Sequence, residues 1–234
     1  MKENTLGKDR IKDIINQLGY KYTNRKVFED FVLISTYSIQ NSIIKDENIE
    51  DKYNKIVQKY TDEEVSQFAK MLAILIEEYK FNDCKDDILG SVFEELNISN
   101  SKRGQFFTPM NVSNMMAALT YKKEEVENVI QKKDYLTVQD PACGSGRMLY
   151  STFFCLKNMD VDVSDKVYFE GADIDELCCG MTYIQLSILG ASAVIYHKDS
   201  LSNEEYNKFV TPKFLLNNDM INYLTKKGDD YGLE

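Results

Sequence analysis

The sequence predicts an α/β protein in two parts: an N-terminal helical domain over residues 1–103 and an α/β domain with a mostly parallel sheet over residues 104–234. Apolar residues recur at helical spacing in the first hundred residues, and no proline occurs before Pro109. After residue 105, short strand-like runs alternate with helical ones, as in right-handed β–α–β crossovers. The polar stretch SNSKRG, residues 99–104, is typical of a linker and sets the boundary.

In the first part, the clearest helix is TDEEVSQFAKMLAILIEEYKF, residues 61–81. Thr61 is a suitable N-cap, and the three acidic residues that follow it favour a helix N-terminus. The spacing predicts one buried face, formed by Val65, Phe68, Leu72, Leu75, Ile76 and Tyr79. We expect the N-terminal helices to cover a face of the sheet, because a parallel sheet is buried on both sides.

In the second part, Thr108 is predicted to cap a helix that has Pro109 at its first position. The next elements are a strand, a helix, a strand, a helix and a strand at residues 135–140, 146–159, 166–174, 175–190 and 192–197. A fourth strand is predicted at residues 213–216.

Composition narrows the classes of function. With 28 basic and 38 acidic residues the net charge is -10, so binding to nucleic acid requires a local basic patch or a partner. Five cysteines without a C-x-x-C pair, and no secretory signal, favour reduced thiols in the cytoplasm. The aliphatic block MLAILI is too short to span a bilayer, and His197 is the only histidine. We therefore expect neither a membrane nor a metal as a partner.

The segment VQDPACGSGRML, residues 138–149, follows the first predicted strand of the sheet. Its glycines, Gly144 and Gly146, let backbone approach a ligand where a helix begins. Ligands of such sheets bind beyond the carboxyl ends of the strands. The third glycine of a dinucleotide loop and the Gly-Lys-Ser/Thr of a phosphate-binding loop are both absent.

Four segments carry a resemblance to a known family. DPACGSG resembles motif I of the amino-group DNA methyltransferases, and GQFFTP at 104–109 resembles motif X of the adenine-N6 methylase subunits of type I restriction systems. GADID at 171–175 and KDSL at 198–201 resemble motifs II and III, so the order X, I, II, III matches that family. The resemblance implies a Rossmann-like but truncated methyltransferase core with S-adenosylmethionine as cofactor.

The resemblance also implies roles for individual residues. Asp140 and the loop backbone would hold the methionine part of the cofactor, Asp173 the ribose hydroxyls, and Asp199 the adenine amino group, while Phe107 would pack on the cofactor. The implied cofactor set is Phe107, Thr108, Pro109, Asp140, Ala142, Cys143, Gly144, Ser145, Gly146, Asp173, Ile174, Asp199 and Ser200. Structural interpretations compete at several positions: Asp173 as a helix cap in place of Asp175, Ser200 as a cap, and Phe106 or Phe107 as plain core.

The family's catalytic motif, Asn or Asp followed by Pro-Pro and an aromatic residue, is absent because the chain contains no Pro-Pro. Its role is to accept hydrogens from the adenine amino group and to stack on the flipped base. KFLLNNDM at 213–220 is the best positional counterpart, which makes Asn217 the catalytic candidate. The favoured interpretation is that this segment only caps the following helix.

Two functions remain open at this point. The first is an adenine-N6 DNA methyltransferase that acts on DNA and depends on a partner, either a specificity subunit, a second methylase subunit or another copy of the chain. The second is a cofactor-binding regulatory or structural protein that has lost transfer activity. A small-molecule methyltransferase is disfavoured by the type I character of motif X.

Overall fold

The computed structural model describes residues 7–82, 84–96 and 107–225. The predicted boundary at 99–104 and residues 104–106 of the motif X segment lie outside these ranges. In chain order the elements are α1 (Gly7–Tyr22), α2 (Asn24–Asn41), α3 (Glu47–Val57), α4 (Asp62–Lys80), α5 (Ile88–Glu95), α6 (Met110–Thr120), α7 (Lys123–Lys133), β1 (Leu136–Asp140), α8 (Arg147–Lys157), α9 (Val163–Lys166), β2 (Val167–Asp173), α10 (Glu176–Leu189), β3 (Ser192–Asp199), β4 (Glu204–Val210), α11 (Pro212–Leu215) and α12 (Asn218–Thr225).

Helix α4 begins where the sequence predicts. Thr61 and Glu64 form a capping box, in which each side chain accepts a hydrogen bond from the other residue's backbone N–H. The buried face is rotated from the prediction: Met71 and Ile74 are buried and Ile76 is exposed. The predicted start of α6 is wrong by one residue, because the extended backbone of Pro109 makes it the N-cap instead of the first helical residue.

The second part of the chain contains a four-stranded sheet with the strand order β1-β2-β3-β4. β1, β2 and β3 are parallel, and the helices α8 and α10 connect them as crossovers. The mixed α/β architecture with a mostly parallel sheet is confirmed. The sheet edge formed by β1 pairs only with β2 among the described residues.

The predicted fourth strand at residues 213–216 is wrong. Pro212 starts the short helix α11 there, as its fixed φ and missing N–H favour. The fourth strand is instead β4, which pairs antiparallel with β3 directly after a tight turn in which Asn203 has φ +61. β4 therefore runs from the carboxyl edge of the parallel strands back to their amino edge, and this direction decides where the following residues lie.

The N-terminal helices cover one side of the sheet through α10. Eleven of the fourteen residues of α10 are buried, and α2 packs so closely that a Cβ on Gly180 would lie 2.8 Å from Val32 Cγ1. α2 also reaches the sheet at β4, where Gln40 accepts a hydrogen bond from the backbone N–H of Val210. One hydrophobic core consequently extends from α1 to β4.

The opposite side of the sheet carries a smaller core, formed by Tyr135, Tyr168, Val194, Val210, Phe214 and Met220. Helices α11 and α12 supply the last two of these residues. At the β1 edge, on the side of the main core, α6 packs against α8; it is an uncharged helix that exposes Met115, Met116 and Leu119. A groove of about 280 Å³ lies between α6 and β1.

No helix within the described ranges is long and apolar enough to cross a membrane.

Candidate cofactor site

The carboxyl ends of the parallel strands meet around one cavity. Asp140 ends β1, Asp173 ends β2 and Asp199 ends β3. The cavity has a volume of about 390 Å³, within the range of small-molecule sites. Its lining residues are Phe107, Thr108, Asp140, Pro141, Ala142, Cys143, Gly144, Ser145, Arg147, Met148, Asp173, Ile174, Cys178, Asp199, Ser200 and Leu201.

Most of the predicted cofactor residues line this cavity, although the four motifs are spread over nearly a hundred residues of sequence. Pro109 and Gly146 do not line it: Pro109 caps α6, and Gly146 is the left-handed N-cap of α8. The sequence did not single out the lining residues Pro141, Arg147, Met148, Cys178 and Leu201. Arg147 follows the glycine loop directly, a position that could have drawn attention to it.

The glycine loop turns through two left-handed residues. Gly144 has φ +56 and Gly146 has φ +92. A Cβ on Gly144 would lie 2.9 Å from Phe107 Cδ1, and a Cβ on Gly146 would lie 2.9 Å from Thr182 Oγ1. Both positions therefore require glycine for backbone conformation and for space. The loop closes through a hydrogen bond of 2.8 Å from Gly146 N to the Cys143 carbonyl oxygen.

Asp173 connects the first two strand ends. Its Oδ2 accepts a hydrogen bond of 2.9 Å from the backbone N–H of Gly144, and its Oδ1 accepts one of 2.9 Å from Asp175 N. Asp175, not Asp173, caps α10, because its Oδ1 accepts a hydrogen bond from Leu177 N. Burial raises the pKa of the Asp173 carboxyl, and the two backbone hydrogen bonds oppose that shift.

Asp140 lines the same cavity at the end of β1. Its Oδ1 accepts a hydrogen bond of 3.1 Å from Ala142 N, and burial raises the pKa of its carboxyl. Cys143 is buried, its thiol lies 3.6 Å from Thr182 Oγ1, and desolvation raises the pKa of that thiol. A buried thiol of this kind packs as a small apolar side chain, which fits the tight turn.

The third strand end is organised by local hydrogen bonds. Asp199 Oδ1 accepts hydrogen bonds from Leu201 N at 2.9 Å and Ser202 N at 3.4 Å, and these bonds lower the pKa of its carboxyl. Ser200 does not act as the cap, because its hydroxyl donates to the Pro141 carbonyl oxygen at 2.6 Å. That bond ties the loop after β3 to the loop after β1.

Phe107 has neighbours on two sides. It borders the cavity, and its ring centroid lies 5.2 Å from that of Phe93 on α5. The interpretation of Phe107 as core and its implied contact with a cofactor are therefore compatible, while Phe106 lies outside the described residues.

Asn217, the predicted catalytic candidate, does not line the cavity. Its Oδ1 accepts a hydrogen bond of 3.1 Å from Met220 N, and its Nδ2 donates to the carbonyl oxygen of Asp165, just before β2 begins. Asn217 thus caps α12 at the amino edge of the sheet. The seven residues of β2 separate that edge from the cavity by about 20 Å.

Comparison with known proteins gives a family match over residues 84–223, to the family described as N-6 DNA Methylase. The chain is 29% identical over 135 residues to the type I restriction enzyme MjaVIII methylase subunit of Methanocaldococcus jannaschii; the match covers 56% of this chain and 21% of that protein. This chain thus spans about a fifth of the length of that curated relative.

A crystal structure from Listeria monocytogenes, described as a class I S-adenosylmethionine-dependent methyltransferase, is 24% identical. The superposition covers 77% of this chain and 55% of that one, with a TM-score of 0.40.

The family match extends over well over half of the chain and includes all three strand ends and α5. It confirms the resemblance to the adenine-N6 DNA methyltransferases, and with it S-adenosylmethionine as the cofactor of the family. The chain belongs to the N-6 DNA methylase family.

Proposed function

We propose that this cavity binds S-adenosylmethionine and that the chain is the cofactor-binding part of a DNA adenine-N6 methyltransferase. The observation that carries the proposal is the convergence of Asp140, Asp173 and Asp199 on one cavity at the carboxyl edge of the sheet. A carboxylate suits three polar groups of the cofactor that present hydrogen-bond donors: the ammonium, the two ribose hydroxyls and the adenine amino group.

The rest of the cavity fits the apolar part of the same molecule. Ile174 is 62% exposed and Leu201 is 99% exposed, and both stand at the cavity. An adenine ring between them would remove that apolar surface from water. Phe107 would bound the cofactor on the side of α5, and the glycine loop lets backbone come close to the methionine part.

S-adenosylmethionine supplies an electrophilic methyl group on a sulfonium. Its transfer to adenine forms a C–N bond, breaks the S–CH₃ bond and releases a proton from the amino group, which therefore needs an acceptor. Asn217 lies at the opposite edge of the sheet, so we propose that a partner polypeptide supplies the acceptor and the aromatic platform for the base. The net charge of -10 also favours a partner that carries the positive charge for DNA.

The position of Asn217 favours a second candidate, a cofactor-binding protein without transfer activity. The two candidates share the cavity and differ only in the acceptor.

Calorimetry with S-adenosylmethionine tests the shared part, with thermal melting as a second measurement. Binding should release or absorb measurable heat and raise the Tm. Asp173→Asn should weaken that binding; Glu124→Gln, which removes an exposed carboxylate on α7, is its matched charge control and should bind like the wild type. No heat together with an unchanged Tm would reject the proposed cofactor site.

Methyl transfer separates the two candidates. Cofactor labelled in the methyl group is incubated with adenine-containing DNA and the chain, alone and with the methylase and specificity subunits of its source. Label in N6-methyladenine that depends on this chain supports the enzyme. Cofactor binding without label in any combination supports the binding protein.

A further inference from the structure

Asp87 is a fully buried carboxylate that the cofactor motifs do not include. It caps α5, accepting a hydrogen bond of 2.7 Å from Gly90 N at Oδ1. Its Oδ2 accepts two more, from Ser145 Oγ at 2.5 Å and Arg147 Nε at 2.7 Å. Ser145 belongs to the glycine loop, and Arg147 is the first residue of α8. Through Asp87, helix α5 of the N-terminal part therefore holds the glycine loop directly.

Arg147 extends this contact to a second carboxylate and to the wall of the cavity. Its Nη2 donates to Glu94 Oε2 at 2.7 Å and its Nη1 to Glu94 Oε1 at 3.2 Å, a paired geometry that arginine can form and lysine cannot. Nη1 also donates to the Thr108 carbonyl oxygen, and the guanidinium carbon lies 5.4 Å from the centroid of the Phe107 ring. One side chain therefore fixes the segment before α6 relative to the glycine loop.

A second path holds the same loop from the other side. Gln185 on α10 donates to the Ser145 carbonyl oxygen at 2.9 Å, and its own Oε1 accepts from the hydroxyl of Tyr79 at 2.5 Å. That hydroxyl in turn accepts from the backbone N–H of Ile88, at the start of α5. Ser145 is thus held through its side chain and its backbone by groups that converge on one end of α5.

We infer that Asp87, Glu94 and Arg147 are positioning residues that hold the glycine loop and Phe107 in the geometry that binds the cofactor. Asp87 and Glu94 do not line the cavity and Arg147 does, but all three act by fixing other groups that line it. A loop with two left-handed glycines has many accessible conformations, and a supporting layer of charged hydrogen bonds selects one of them. The inference rests on the proposed cofactor site and assigns to α5 a part in setting its affinity.

The test compares cofactor affinity with thermal stability in four proteins: wild type, Arg147→Lys, Glu94→Gln and Asp30→Asn. Glu94 is 41% exposed, so Glu94→Gln should fold even if replacements at Asp87 do not. Asp30 is the matched control: a buried carboxylate that accepts from Lys26 Nζ and the Tyr60 hydroxyl and does not line the cavity.

Arg147→Lys and Glu94→Gln should raise the Kd for S-adenosylmethionine on the order of tenfold, as supporting residues around bound metals do. Asp30→Asn should lower the Tm at least as much and leave the Kd unchanged. An unchanged Kd in both Arg147→Lys and Glu94→Gln, beside normal binding by the wild type, would overturn the positioning role alone. Absence of binding by the wild type would overturn this inference together with the proposed function.

Discussion

The two edges of the sheet use similar residues for different purposes. At the carboxyl edge, Asp173 joins the loops after β1 and β2 and faces a cavity. At the amino edge, Asn217 caps α12, and the hydroxyl of Thr211 donates to the Ala191 carbonyl oxygen. Both Asp173 and Asn217 follow apolar runs in the sequence. Strand direction makes the difference, because β4 runs antiparallel and carries everything after it away from the cavity.

The greatest loss of cofactor affinity is expected from Asp173→Ala at the carboxyl edge. Each hydrogen bond from a ribose hydroxyl to a charged carboxylate contributes roughly 1.5–3 kcal/mol, so each bond lost should weaken binding tenfold or more. Calorimetry measures the change, and Asp173→Asn should lie between the wild type and Asp173→Ala. Equal affinity for all three proteins would show that the carboxyl edge holds no ribose.

Two left-handed glycines, one at each edge, allow a second test. Gly146→Ala forces a side chain onto a residue with φ +92 and against Thr182, which should cost about 1–3 kcal/mol of the free energy of unfolding and also weaken cofactor binding. Gly190 ends α10 with φ +75, and a Cβ there would meet only Ser164 Oγ, at an ordinary contact distance of 3.9 Å. Gly190→Ala should therefore lower the Tm less and leave the Kd unchanged. A larger effect at Gly190 in both measurements would contradict the comparison.

Replacement of Asn217 by Ala should affect stability and not affinity. Loss of the cap on α12 should cost about 1 kcal/mol, or a fall in Tm of roughly 2–4 °C for a chain of this size. Cofactor affinity and any methyl transfer should stay at the wild-type level. A selective loss of transfer at unchanged Tm would instead restore Asn217 as the catalytic residue.

The pH dependence of binding should be the mildest effect. Burial raises the pKa of the carboxyls of Asp140 and Asp173, so both begin to take up protons above the ordinary value of about 4. Affinity for a cofactor bound by carboxylates should fall as the pH is lowered through that range. The stability of the ligand-free protein changes with pH in the opposite direction. Between the ordinary pKa of the unfolded chain and the raised pKa of the folded protein, the native state binds more protons than the unfolded chain. The free energy of unfolding therefore decreases as the pH rises through that range.

The measurement is Kd against pH for the single variant His197→Gln and for the double variant that carries both His197→Gln and Asp173→Asn. His197→Gln removes the imidazole, whose Nε2 lies 3.1 Å from the Ile174 carbonyl oxygen at the cavity. The slope should be smaller in the double variant. Identical slopes would show that Asp173 does not titrate with binding.

Sequence reasoning worked where the signal is local. Each of the three parallel strands is a short apolar run that ends in an acidic residue, and parallel strands bring such ends to one edge. It failed at β4, because no glycine marks the turn at residues 200–203 and the left-handed residue there is Asn203. Sequence reasoning also missed the contact between Asp87 and Arg147. The two residues lie 60 positions apart in the sequence, so no spacing pattern predicts that they meet.

The uncharged helix α6 beside the β1 edge has a practical consequence for handling the protein. Leu119 is 73% exposed and Met115 is 56% exposed. Beside them, the edge strand β1 pairs only with β2 among the described residues. At low ionic strength, the net charge of -10 makes protein molecules repel one another, which keeps these exposed surfaces from associating. Concentrated salt screens that repulsion, so at high ionic strength the protein should aggregate through α6 and the β1 edge. Leu119→Lys should raise the salt concentration at which precipitation begins.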